Sequence, residues 1–127
     1  MAKNRLVNTK FWIDSYVLDL EPEEKLLFIY LFTNPHTNIC GTYELPLKII
    51  TSETGFDKEE ILKIMQRFEK DKKFFYIDGW VYAKNFVKHQ QTSSPTVKKG
   101  ILSEYSLIPA KIREKIDDID TVCKGCA

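Results

Sequence analysis

The period of the apolar positions changes along the chain, and this change predicts an order of helices and strands. Residues 21–33 begin with acids and a proline and are then apolar nearly all round, which is typical of a buried helix. Asn34-Pro35 ends it. Residues 41–46 alternate like a short strand, and residues 47–54 form a short helix that ends at Gly55.

A second helix and a hairpin follow directly. Asp57 caps a helix over residues 58–72, in which Ile61, Met65 and Phe68 form one apolar stripe. Two short strands, residues 74–77 and 80–83, flank Asp78-Gly79, a strong type I′ turn signal. The order helix, turn, helix, hairpin predicts a mainly α winged helix-turn-helix with a small antiparallel β-sheet. In that class of fold the second helix of the motif commonly lies in the DNA major groove.

The rest of the pattern divides the chain into four parts. Residues 1–20 are expected to be an N-terminal arm with a short amphipathic element, and residues 21–90 to be the winged-helix domain. Residues 91–116 read as a helical extension with one helix over residues 95–106 and one or two further turns over residues 110–116. Residues 117–127 are expected to be a frayed tail that begins a linker to a C-terminal domain outside this sequence.

The formal net charge of +1 conceals a strong asymmetry. Residues 11–60 hold ten acids and three bases, whereas residues 61–100 hold nine bases and three acids. A polyanion would therefore meet one basic side of the protein. The same lysines could instead be an ordinary solvated face.

Candidate DNA contacts follow from this basic block. Four polar residues lie opposite the apolar stripe of the helix over residues 58–72, and three more follow the hairpin. We predict DNA binding by Lys63, Gln66, Arg67, Lys70, Lys84, Lys88 and His89. In the alternative interpretation, the helix lysines are balanced by Glu59, Glu60 and Glu69. The hairpin aromatics are expected to pack the core, with base stacking as the less favoured alternative.

Enzymatic and metal-binding motifs are missing from the sequence. Neither a phosphate-binding glycine loop nor a catalytic triad pattern is present, so we predict no catalytic residues and no enzyme activity. Cys123 and Cys126 have the spacing of half a zinc site, but the remaining Cys and His residues are scattered. We therefore expect no metal and no cofactor.

Several short sequence segments also resemble those of a known protein family. They are residues 8–12 (NTKFW), 22–28 (PEEKLLF), 31–37 (LFTNPHT), 41–43 (GTY), 78–80 (DGW), 84–90 (KNFVKHQ) and 97–101 (VKKGI). Over about residues 4–109 the chain resembles the N-terminal domain of phage and prophage replisome-organiser or DnaD-like replication initiators of low-GC Gram-positive bacteria. The resemblance implies a winged helix that binds DNA, self-associates, or both.

The resemblance also implies partners. These are double-stranded DNA, with single-stranded DNA as a second candidate, further copies of the chain, and a helicase loader or replicative helicase. Phe11, Trp12 and Tyr16 are the candidate oligomerisation residues. Without a signal core or membrane span in the sequence, we expect a cytoplasmic protein. Two alternatives stay open: an assembly module that does not bind DNA, and a phage winged-helix transcription regulator.

Overall fold

The computed structural model describes residues 4–38, 40–83, 99, 102, 103 and 105–125. Its elements are mainly helical and include a small antiparallel sheet. In chain order they are a 3₁₀ turn Thr9–Ile13, α1 Ser15–Leu18, α2 Pro22–Thr33, β1 Thr42–Glu44, α3 Leu47–Thr54, α4 Lys58–Lys70, β2 Phe74–Ile77, β3 Trp80–Ala83 and α5 Ala110–Gly125. The sequence-predicted mainly α class with a small antiparallel sheet is confirmed.

Local signals explain why the central elements begin and end where they do. Pro22 occupies the first turn of α2, and the Glu24 side chain accepts a hydrogen bond from the Glu21 N–H in a capping box. Gly55 ends α3 at φ +83°. The helix predicted over residues 58–72 ends earlier, at Lys70, because Lys72 takes a left-handed φ of +60° before the sheet.

The three strands pair in the order β1-β3-β2. Asp78 and Gly79 both have positive φ, at 48° and 83°, as a type I′ hairpin turn requires. Successive side chains point to opposite faces of a strand. Phe74 and Val81 therefore enter one core, whereas Ile77 and Trp80 pack toward the other side.

The larger core lies between the helices and the first face of the sheet. Phe28 is its centre and contacts the rings of Phe68 and Phe74 at centroid distances of 5.4 and 5.0 Å. Val17 and Leu20 are also buried there, so the segment predicted as an N-terminal arm contributes to the core. Arg5 extends this docking, since its Nη2 donates to the Thr37 carbonyl at 2.8 Å.

Helix α5 forms a second core on the opposite face of the sheet. Ile108, Ile112 and Ile116 are buried with Cys40, and Ile77, Trp80, Tyr82 and Tyr105 pack against them. The expected frayed tail is wrong for residues 117–125, because α5 continues to Gly125. The physical reason is that Ile112 and Ile116 lie one helical turn apart and are both buried in the second core, which docks the helix on the sheet. The helix predicted over residues 95–106 lies largely outside the described residues.

Candidate nucleic-acid interface

Helix α4 presents the predicted interface, and its orientation is set by its buried side. Ile61, Ile64, Met65 and Phe68 enter the larger core. The Asp57 carboxylate accepts a hydrogen bond from the Glu60 N–H at 2.8 Å and so fixes the first turn. The amphipathic sequence thus holds the opposite side of α4 toward solvent.

The exposed side forms a continuous stripe, which we call the α4 stripe. Its members lie at positions i, i+3, i+4, i+7 and i+11, so they share one face of the helix. They are Glu59, Leu62, Lys63, Gln66 and Lys70, all of them exposed. Among the described residues, the two lysines form no ion pair and Gln66 forms no side-chain hydrogen bond. These groups are therefore available to a ligand.

Arg67 differs from the rest of the predicted set. Its Nη1 donates to Glu24 Oε1 at 2.5 Å, and its Nε lies 3.7 Å from Asp71 Oδ2. The Glu24 side chain is only 13% exposed, so this ion pair is partly shielded from water. The Arg67 guanidinium thus joins α4 to the first turn of α2, and its contact with DNA stays a prediction.

The same cluster anchors the N-terminal segment. Tyr16 Oη donates to Asp71 Oδ2 at 2.7 Å, and Lys73 Nζ lies 4.8 Å from the centre of the Tyr16 ring. Burial and then the Asp71 hydrogen bond raise the pKa of Tyr16, so the hydroxyl stays a donor. Sequence reasoning missed this cluster, since its partners are 43 and 55 positions apart and no local pattern joins them.

The tip of the hairpin is not a basic wing by itself. Asp78 Oδ2 lies 2.8 Å from Lys115 Nζ and 3.8 Å from Lys111 Nζ, so α5 supplies the positive charge there. The hydrogen bond from Lys115 lowers the pKa of Asp78. The three predicted contacts after the hairpin, Lys84, Lys88 and His89, lie outside the described residues.

The hairpin aromatics pack within the protein. Phe74 is buried, Tyr76 Oη donates to the Leu45 carbonyl at 2.6 Å, and Phe75 stacks on Tyr82 at 5.9 Å. Trp80 contributes to the second core. Packing therefore accounts for these rings, in line with the favoured interpretation of the sequence.

The candidate oligomerisation residues divide into two groups. Phe11 and Tyr16 pack against Phe28, at centroid distances of 5.8 Å for both. Trp12 is 57% exposed, and the neighbouring Ile13 is 71% exposed. Of the three predicted residues, Trp12 is thus the one presented to solvent.

A polar cluster around Glu53 was not predicted. Glu53 accepts a hydrogen bond from Tyr30 Oη at 2.6 Å and lies 2.9 Å from His36 Nε2. The Tyr30 hydrogen bond lowers the pKa of Glu53, and burial followed by that same bond raises the pKa of Tyr30. The cluster joins α2, the loop after it and α3. Within the described part of the chain, no group of three or more His, Cys, Asp or Glu side chains could hold a metal ion.

Comparison with known proteins adds no assignment. No family model, no curated protein and no solved structure matches the chain. None of the helices among the described residues has both the length and the apolar character needed to cross a bilayer.

Proposed function

We propose that the chain is a winged-helix domain that binds duplex DNA through α4. The order helix, strand, helix, turn, helix, hairpin supports this proposal, as does the sheet order β1-β3-β2. Helices α3 and α4 are joined by a short turn containing Gly55, the arrangement in which a second helix enters the major groove. In this proposal α4 is the recognition helix.

One observation carries the proposal. Lys63 and Lys70 lie on the same exposed face as Gln66, and none of the three has a partner in the described part of the chain. Unpaired lysines on the outward face of such a helix suit phosphate contacts, which position a protein on DNA. Helix α4 has 13 residues, a length of about 20 Å, and the major groove accepts a helix of this kind.

The biological setting rests on the family resemblance. We propose that this domain belongs to a phage-type replication initiator and acts there in DNA binding and self-association. Double-stranded DNA is the first partner proposed and single-stranded DNA the second. A helicase loader or replicative helicase would be recruited by the assembled initiator. The proposed compartment is the cytoplasm, where such DNA is accessible.

Fluorescence anisotropy with labelled duplex and single-stranded DNA tests the binding proposal. We expect salt-sensitive duplex binding that falls strongly in Lys63→Glu and Lys70→Glu. Lys10→Glu, the same charge change at an exposed residue of the 3₁₀ turn, is the matched control and should bind nearly as the unsubstituted chain does. Failure to bind duplex at low salt, or equal losses in all three variants, would refute the α4 interface.

A second candidate function is assembly without DNA contact. The exposure of Trp12 and Ile13, together with that of Leu18 and Leu26, favours it, because exposed large apolar side chains commonly mark protein contacts. Light scattering tests this candidate. It predicts oligomers that dissociate in Trp12→Ser, and a monomer at high concentration would exclude self-assembly.

A further inference from the structure

The centre of the α4 stripe carries two side chains suited to reading base edges. Leu62 and Gln66 lie four positions apart, so they are neighbours one turn apart on the exposed face. Leu62 is 43% exposed although it belongs to a helix whose other large apolar residues are buried. Lys63 and Lys70 lie beside this pair on the same face.

Arg67 is the side chain on α4 best suited to recognising guanine, but its guanidinium is already paired with carboxylates of the protein. Arginine reads guanine by a bidentate contact to O6 and N7. The ion pair with Glu24 at 2.5 Å and the approach to Asp71 at 3.7 Å hold the Arg67 guanidinium toward the protein. This withdrawal leaves Gln66 as the planar bidentate group on the exposed face.

Gln66 and Leu62 have the chemistry needed to contact the two bases of an A·T pair. A glutamine amide donates to N7 and accepts from N6–H of adenine, and an apolar side chain contacts the thymine C5 methyl group. We infer that α4 reads A·T base pairs in the major groove, with Gln66 contacting adenine and Leu62 contacting the thymine methyl. Lys63 and Lys70 contact the flanking phosphates and carry no base preference. This inference rests on the proposed duplex binding and names its substrate class.

Base analogues test each contact separately. The probes are short duplexes of alternating d(AT), alternating d(GC), d(AU), which lacks the C5 methyl group, and d(AT) with 7-deazaadenine, which lacks the N7 acceptor. We expect the unsubstituted chain to prefer d(AT) over d(GC) by about tenfold, and to lose affinity with each analogue. Leu62→Ala should become insensitive to the uracil replacement, and Gln66→Ala to 7-deazaadenine.

A control variant and three contrary results distinguish failure of this inference from failure of the proposed duplex binding. Leu107→Ala removes an exposed leucine that lies outside α4 and should keep both analogue effects. Equal affinity for d(AT) and d(GC), or analogue effects that persist in Leu62→Ala and Gln66→Ala, would overturn the inference but leave duplex binding intact. A preference for d(GC) would also overturn it. No binding to any duplex at low salt would refute the proposed function itself.

Discussion

Arg67 and Lys70 lie three positions apart on α4, yet their charges have different surroundings. The Arg67 guanidinium meets Glu24 and Asp71, whereas the Lys70 ammonium meets solvent. A partly exposed ion pair contributes up to about 1 kcal/mol to folding, and an unpaired exposed lysine contributes much less. Substitution of Arg67 should therefore lower mainly the stability of the fold, whereas substitution of Lys70 should lower mainly the affinity for DNA.

We predict that Arg67→Met lowers the free energy of unfolding by about 1 kcal/mol while DNA affinity changes little. Methionine keeps the aliphatic stem and removes the charge that pairs with Glu24. Lys70→Met is the matched control, and it should weaken DNA binding with stability nearly unchanged. Urea denaturation and anisotropy on the same samples measure both quantities. Large affinity loss in Arg67→Met with unchanged stability would return Arg67 to the DNA interface.

The Glu53 cluster predicts a pH dependence of stability. Hydrogen bonds from Tyr30 and His36 lower the pKa of Glu53 below its ordinary value of 4.5. The folded state therefore holds the Glu53 proton less tightly than the unfolded state does. The resulting stabilisation is complete above the unfolded-state pKa and is lost as pH falls through the lower folded-state pKa.

Urea unfolding of the unsubstituted chain and of Glu53→Gln, from neutral pH to below the ordinary pKa of Glu53, tests whether the carboxylate stabilises the folded state. We expect the unsubstituted chain to be the more stable near neutral pH, and the difference to shrink as pH falls below 4.5. Glu114→Gln is the control, since it makes the same change at an exposed residue of α5. A stability difference that grows toward acid pH would contradict the proposed role of the carboxylate.

At the scale of elements, α5 is an integral part of the fold. Ile112 is 4% exposed in the second core, where α5 covers the sheet face that carries Ile77 and Trp80. We predict that Ile112→Ala lowers the free energy of unfolding by about 2–4 kcal/mol, because it removes buried methyl groups and leaves a cavity. Lys111→Ala, at an exposed neighbouring position, should cost much less. Thermal melting of both variants distinguishes a packed α5 from a loosely attached one.

The elements differ in how far the sequence could predict them. The end of α3, the start of α4 and the hairpin ends of β2 and β3 follow from Gly55, Asp57 and the Asp78-Gly79 turn, whose effects act within a few residues. The exposed positions Lys63, Gln66 and Lys70 follow from helix periodicity alone. The docking of α5 could not be predicted from local patterns. Ile112 packs on a sheet face formed about 30 residues earlier in the chain, and the composition of the C-terminal segment resembles that of a solvated end. The ion pair of Arg67 has the same origin, since its partner Glu24 is 43 positions away.

At the scale of the whole molecule, charge is distributed so that the proposed DNA binding should depend on one basic part of the chain. The net charge is +1, residues 11–60 are strongly acidic, and Asp78 is paired with Lys115 and Lys111 at the hairpin tip. The net charge therefore adds little attraction, and the proposed binding must draw on the basic block of residues 61–100, which includes Lys63 and Lys70 on the exposed face of α4. Each phosphate contact releases condensed counterions, so the logarithm of the binding constant falls linearly with the logarithm of salt concentration.

The slope of the binding constant against salt concentration reports how many phosphate contacts the protein makes. We predict that Lys63→Gln and Lys70→Gln each reduce the magnitude of the salt slope by about 0.9, and that the double variant reduces it by about twice that amount. Lys10→Gln should leave the slope unchanged, because Lys10 lies on the N-terminal 3₁₀ turn and not on α4. Anisotropy titrations at several salt concentrations measure the slope directly. If the α4 variants weaken binding with the slope unaltered, then Lys63 and Lys70 act through hydrogen bonds to bases or through folding, and the phosphate contacts must lie elsewhere on the chain.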